Sequence, residues 1–193
     1  MQHQFRRLRK SHPDYWNQPV PASGNLDAKL IVLGLAPGKH GANRTGVPFT
    51  GDASGDLLFA TLRKLSLVDH VMITNVVKCL PIQNKPSTTE INNCQRYLEV
   101  EIDSRVGLPT VFLALGRVAH NALLKVCDLK LTRFPFSHGA QHALKDQAVL
   151  IDSFHCSRLN TQTKRLTPAM FEEVVAQAAA VAELELTKRI ASD

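Results

Sequence analysis

The sequence predicts an α/β fold: a single domain in which a four-stranded parallel sheet carries helices on both faces. Three observations lead there. Short apolar runs rich in branched side chains recur along the chain, stretches of helical periodicity separate them, and the long polar segments follow the runs. A β-α order repeated in this way gives a parallel sheet, because each crossover returns right-handed over one face.

Each element has its own reason. Residues 29–34 (KLIVLG) are nearly all apolar and end in glycine, the pattern of a strand buried on both faces. Residues 54–67 (SGDLLFATLRKLSL) space their apolar side chains for a helix face. Residues 71–77 (VMITNVV) are short and β-branched, hence a second strand. Ser87 starts a helix with capping-box spacing to Glu90, and Ile91, Cys94, Tyr97, Leu98 and Ile102 fall on one face. Residues 110–115 (TVFLAL) predict a third strand, 117–126 a third helix and 148–151 a fourth short strand. The last helix takes Thr167 as N-cap and Pro168 at its first position, then runs through the alanine-rich tail.

Composition sets the outer limits. A chain of 193 residues leaves room for one domain, with residues 1–28 as an N-terminal extension to it. No stretch approaches the roughly 20 apolar residues of a membrane span, and the basic N-terminus lacks the apolar core of a secretion signal. Cysteines at 79, 94, 127 and 156 include no CxxC and do not read as a disulfide framework. A soluble, cytoplasmic monomer is the expectation. The net charge of +6 suits a polyanion partner, but it equally serves solubility. Charge does not decide between them.

In open parallel sheets, ligands bind beyond the carboxyl ends of the strands. The segments 35–53, 78–87 and 152–166 all follow strands and converge on one rim. The first reads GLAPGKHGANRTGVPFTGDASGD from Gly34 and matches neither a P-loop nor GxGxxG. Phe49 within it is either a core plug, the commoner fate of such a residue, or a stacking platform. Ser54 and Asp56 compete to cap the following helix, which leaves Asp52 as the free carboxylate, unless it is simply solvated. His155 directly follows a strand. A lone histidine there is more often structural, yet Ser157, Arg158, Asn160, Thr161 and Thr163 surround it with donors suited to phosphate oxygens.

At this point four segments carry a resemblance: the loop from Gly34, NVVKCLPIQNKPSTTE from Asn75, FSHGAQHAL from Phe136 and FHCSRLNTQTKRLTPAMF from Phe154, with DYWNQPVP upstream. Together they resemble the uracil-DNA glycosylase superfamily, most closely its family 5. The resemblance implies a base-excision repair enzyme acting on damaged DNA. It implies that Asp52 is the main catalytic carboxylate, that Asn84 assists and that His155 donates a hydrogen bond to the departing base. It further implies that Phe49 stacks on the flipped base and that Gly34, Leu35 and Ala36 line its pocket; on such a substrate Arg44, Ser157, Arg158, Asn160 and Arg165 are the residues expected to contact DNA.

Leu35 stands where family 4 carries an acidic residue, which favours the broader family 5 activity on deaminated purines such as hypoxanthine and xanthine. Asn75 matches the uracil-reading Asn of family 4; it either reads the base edge or is an inert strand residue. Cys156 is expected to be a packing residue. The family holds a 4Fe–4S cluster on four cysteines. Cys79 and Cys94 match two of them, and the other two would lie upstream of Met1, so a missing N-terminal segment is expected and the chain as it stands offers half the ligands. From residues alone, two other classes stay open: a non-catalytic DNA-binding module and a nucleotide-dependent transferase. The set Asp52, Asn84 and His155 counts against the first, and the absence of a Walker-type Lys-Ser/Thr pair against the second.

Overall fold

The computed structural model describes residues 2–105 and 107–184. Its sheet is mixed and six-stranded, in the order β1-β3-β2-β4-β6-β5. The strands are β1 (Ser23–Gly24), β2 (Leu30–Gly34), β3 (Val71–Asn75), β4 (Val111–Leu115), β5 (Gln141–Ala143) and β6 (Val149–Ser153). The expectation of a four-stranded, purely parallel sheet is thereby corrected. β2, β3, β4 and β6 pair in parallel, but β1 and β5 add antiparallel edges. Neither edge shows an apolar run, because a strand of two or three residues at an edge buries little.

The helices are α1 (Gln2–Ser11), α2 (Ala42–Thr45), α3 (Ala53–Lys64), α4 (Thr88–Asp103), α5 (Arg117–Val126), α6 (Arg158–Gln162) and α7 (Pro168–Val181). The capping box at Ser87 and Glu90 forms as the spacing predicts, and Thr167 caps α7. Among the described residues no helix is long and apolar enough to cross a membrane. The end of the alanine-rich tail, 185–193, lies outside the described residues.

Strand alternation divides the core into two layers. Leu30, Val32, Ile73, Leu113 and Ile151 pack with Leu58 and Leu62 of α3 and Phe171, Val174 and Val175 of α7. Ile31, Leu33, Met72, Phe112 and Leu150 pack with Leu98 of α4 and Leu123 of α5. The N-terminal 1–28 segment supplies an edge strand and α1, whose Phe5 and Leu8 bury Cys79 and Leu80.

Strand order positions the site. The chain passes from β2 to β3 on one side, then crosses to β4 on the other. β2 and β4 therefore flank a switch point, and a crevice opens beyond their carboxyl ends.

Candidate active site

Three loops meet at that crevice around a cavity of about 280 Å³. Leu35, Ala36, Phe49 and Asp52 come from the loop after β2, Asn75 and Asn84 from the end of β3 and beyond, and His155 and Ser157 from the loop after β6. Eight residues singled out from the sequence thus share one cavity. Pro37, Gly38, Ala42, Ser54 and Pro86 complete its wall and were not foreseen.

Asp52 is not the free carboxylate that the sequence suggests. It is the N-cap of α3, and its Oδ1 accepts from the backbone N–H of Ser54 at 3.1 Å and of Gly55 at 3.0 Å. Asp56 falls inside the first turn and Ser54 one position past the helix start, so neither competes. Only one oxygen is spent. Oδ2 has no hydrogen-bond partner among the described residues, and it occupies the space that a Cβ on Gly41 would need. The cap fixes the carboxylate, and the open oxygen lines the cavity.

Phe49 is a core plug that also faces the cavity. It is 7% exposed and packs in the α3–α7 layer, yet its ring also lines the cavity. Its φ of 55° is left-handed, a conformation that costs a bulky residue about 1–3 kcal/mol. Gly34 lies beneath, where any Cβ would collide with the Phe49 ring and with Asn75 Oδ1. Asn75 pairs with Gly34 in the β2–β3 register, is buried, and its amide makes no hydrogen bond within the described residues. An unengaged amide at a cavity wall keeps donors and an acceptor free for whatever enters the cavity.

The His155 ring stacks at 29° against Phe49, with centroids 6.2 Å apart. Burial pushes its pKa below the ordinary histidine value, and the nearby Asp52 charge partly offsets that shift. The imidazole is therefore neutral at pH 7, with a proton on one nitrogen to donate. Asn160 donates its amide to the His155 carbonyl at 2.7 Å, so it anchors this loop from within the protein. Ser157 caps α6. Asn84, at φ 56°, accepts from the Lys39 N–H at 3.2 Å and ties the first two loops together.

Outside the cavity, Arg44 and Arg158 are exposed, and Arg165 rests its guanidinium 4.6 Å from the centre of the Phe154 ring. Cys156 is buried, its thiol pushed up to about 12 by desolvation, as suits a packing residue. Sequence reasoning missed one buried set. His120 spends Nδ1 on Asp152 at 2.7 Å and Nε2 on the Phe134 carbonyl at 2.9 Å, while His142 Nε2 lies 3.3 Å from the other Asp152 oxygen. These are metal-ligating types in close array, but both His120 nitrogens are already engaged. The set works as a bracket that ties α5 and β5 to the strand leading into His155. An aspartate inside an apolar strand was the signal for it.

A model of the uracil-DNA glycosylase superfamily matches residues 21–179. The chain belongs to the uracil-DNA glycosylase superfamily. It is 43% identical over 185 residues to a Type-5 uracil-DNA glycosylase of Thermus thermophilus, covering 88% of this chain and 83% of the relative. A Type-5 enzyme of Pyrobaculum aerophilum is 41% identical, over 86% of this chain and 77% of its own length. A Type-4 enzyme of Archaeoglobus fulgidus is 35% identical, over 65% of this chain and 60% of its own length. The Type-5 likeness runs through far more of the chain, in keeping with Leu35 at the pocket.

Within this superfamily chain, Cys79 and Cys94 line a second cavity of about 250 Å³ with Lys78, Tyr97 and Pro19. Burial, and then the neighbouring Cys94, push the Cys79 thiol up to about 11. Cys127 ends α5 and Cys156 sits by the active cavity, so two thiols converge among the described residues. A 4Fe–4S cluster needs four thiolates, and the described residues do not by themselves fit that group.

Proposed function

We propose that this chain is a uracil-DNA glycosylase, a repair enzyme that binds an extruded nucleotide in the Phe49–His155 cavity and hydrolyses its N-glycosidic bond. The observation that carries this is the convergence of Asp52 Oδ2, His155 and Asn75 on one cavity walled by an aromatic ring. The base stacks on Phe49, and Asn75 hydrogen-bonds its edge. As the C1′–N bond breaks, its electron pair leaves with the base. The neutral His155 N–H donates to a carbonyl oxygen of that developing anion. Asp52, held by the α3 cap, stabilises the cationic sugar and takes the proton of the water that adds to C1′. Asn84 holds the first loop in place and offers its own N–H₂ toward the reaction centre. Arg44, Ser157, Arg158 and Arg165 contact backbone phosphates, and duplex DNA is the substrate. Extrusion costs least at mispaired or damaged bases, so hypoxanthine and xanthine join uracil in the substrate range.

Cleavage of duplex oligonucleotides carrying each deaminated base, followed by alkali to expose abasic sites, tests the reading. The wild type is expected to leave an alkali-labile site at the uracil position, and no such site with any of the bases would end the proposal. Asn75→Ala refines it. A buried polar contact left unpaired costs about 1–3 kcal/mol, so uracil excision should fall roughly 5- to 150-fold. Hypoxanthine presents a different edge and should lose less. Equal losses on both bases would make Asn75 structural.

A further inference from the structure

The charge of this chain is unevenly placed. Residues 1–48 hold seven Lys and Arg against two Asp, hence five of the six net positive charges. Four of the seven, Arg6, Arg7, Arg9 and Lys10, lie on α1. Arg6, Arg9 and Lys10 are spaced i, i+3, i+4 and form one exposed stripe beside the buried Phe5 and Leu8. Among the described residues none of the three pairs with an acid. A basic helix face is ordinarily only solvated. What sets this one apart is where it is fastened.

Phe5 and Leu8 pack on Cys79 and Leu80, which lead directly into the loop bearing Asn84. Beyond the other end of α1, the rings of His12 and Tyr15 lie 5.9 and 6.0 Å from that of His40, between Gly38 and Gly41 of the first pocket loop. The Tyr15 hydroxyl is hydrogen-bonded to His40 Nδ1 at 2.9 Å. The Trp16 ring, 42% exposed, lies over Gly46, and the Trp16 backbone N–H donates to the Arg44 carbonyl at 3.1 Å. The helix and the segment after it are therefore fixed to the outside of two rim loops, and their exposed cations and rings continue the rim formed by Lys39 and Arg44.

We propose that the Arg6–Arg9–Lys10 stripe and the His12–Tyr15–His40 cluster form a second DNA-contact surface, gripping backbone phosphates beyond the extruded nucleotide. This rests on reading the cavity as a pocket for a base in DNA. The chemistry is that of phosphate positioning: guanidinium and ammonium groups on a rigid helix, with His40 Nε2 unengaged among the described residues as a further donor. From Arg6 to Lys10 the helix rises about 6 Å, and phosphates on one strand recur about every 3.4 Å along the duplex axis, which gives reach to about two of them. Each neutralised phosphate contributes about 0.9 to the slope of log affinity against log salt.

The test is salt-dependent binding of a uracil-containing duplex, followed by anisotropy, with single-turnover excision measured at saturating enzyme. Arg6→Gln, Arg9→Gln and Lys10→Gln combined should lower the slope by about two and weaken binding at least tenfold near physiological salt. Excision of bound DNA should stay within about twofold of wild type. Lys10→Gln alone should lower the slope by about one, which keeps the test decisive even if the triple variant unfolds. A slope unchanged in the single variant overturns the proposal. So does an equal fall in Lys125→Gln/Lys130→Gln, at the far end of α5, since net charge alone would then explain the effect. If the wild type excises nothing, the reading of the pocket fails, while the slopes still decide the surface.

Discussion

Asp52 caps α3 and, in the proposed reaction, also faces the sugar, and the two roles can be separated. Asparagine caps helices as well as aspartate does, so Asp52→Asn keeps α3 anchored while removing the charge that faces the sugar. Single-turnover excision should fall roughly 10²–10⁴-fold with DNA affinity and melting temperature nearly unchanged. Rates within threefold of wild type would sink the assignment. Asp52→Ala should add a stability loss of about 0.5–2 kcal/mol, because the N–H groups of Ser54 and Gly55 lose their acceptor. His155 reports on the same carboxylate. Its pKa is lowered by burial and partly restored by Asp52, so its imidazole should titrate below the ordinary 6.5 in the folded protein. A depressed folded pKa disfavours the protonated native state, hence stability rises with pH through this window and is lost as pH falls below 6.5. In Asp52→Asn the midpoint should drop further, since the negative charge that favoured the imidazolium is gone. An imidazole NMR titration showing the midpoint at 6.5, or rising in the variant, would contradict this account.

At the scale of elements, the β2–α3 junction shows how packing serves the site. Gly55 lies in the first turn of α3, where a Cβ would fall on the Phe49 carbonyl oxygen. Gly55→Ala should therefore push Phe49 away and cost about 1–3 kcal/mol by overpacking, lowering the melting temperature by several degrees. Melting within about one degree of wild type would show that the junction yields freely. The four central strands were legible because burial on both faces demands continuous apolar runs, and α4 and α7 because their caps are written in residue type. The edge strands were not, since Ser23–Gly24 and Gln141–Ala143 are held by pairing rather than by burial. Nor were α2 and α6, which are too short to show a period. The converging loops were found because each follows a strand. The role of Asp52 as cap was missed because Asp-Ala-Ser-Gly-Asp offers three candidates, and only backbone geometry selects among them. The bracket of His120, Asp152 and His142 joins three separate stretches of chain, and no local pattern announces that.

Across the whole molecule, the proposed reading divides the work between a pocket that takes the base and rim charges that hold the DNA. The loop after β6 ends in Arg165, whose guanidinium is already stacked on Phe154 and so gives up little freedom on meeting a phosphate. Arg158 opens α6 in full solvent and has no such support. Both should contribute to the salt dependence of binding, each variant to Gln flattening the slope by about one. They should differ in affinity, because an arginine held in place by a ring loses less side-chain entropy than a free one. Arg165→Gln is thus expected to weaken binding more than Arg158→Gln at equal change of slope. Phe154→Leu should reproduce part of the Arg165 loss with no change of slope at all, since it removes the support and keeps the charge. Measuring all three variants on one duplex across a salt series separates the two contributions. If neither arginine variant alters the slope, the loop after β6 faces solvent, and the phosphate grip lies on other parts of the rim.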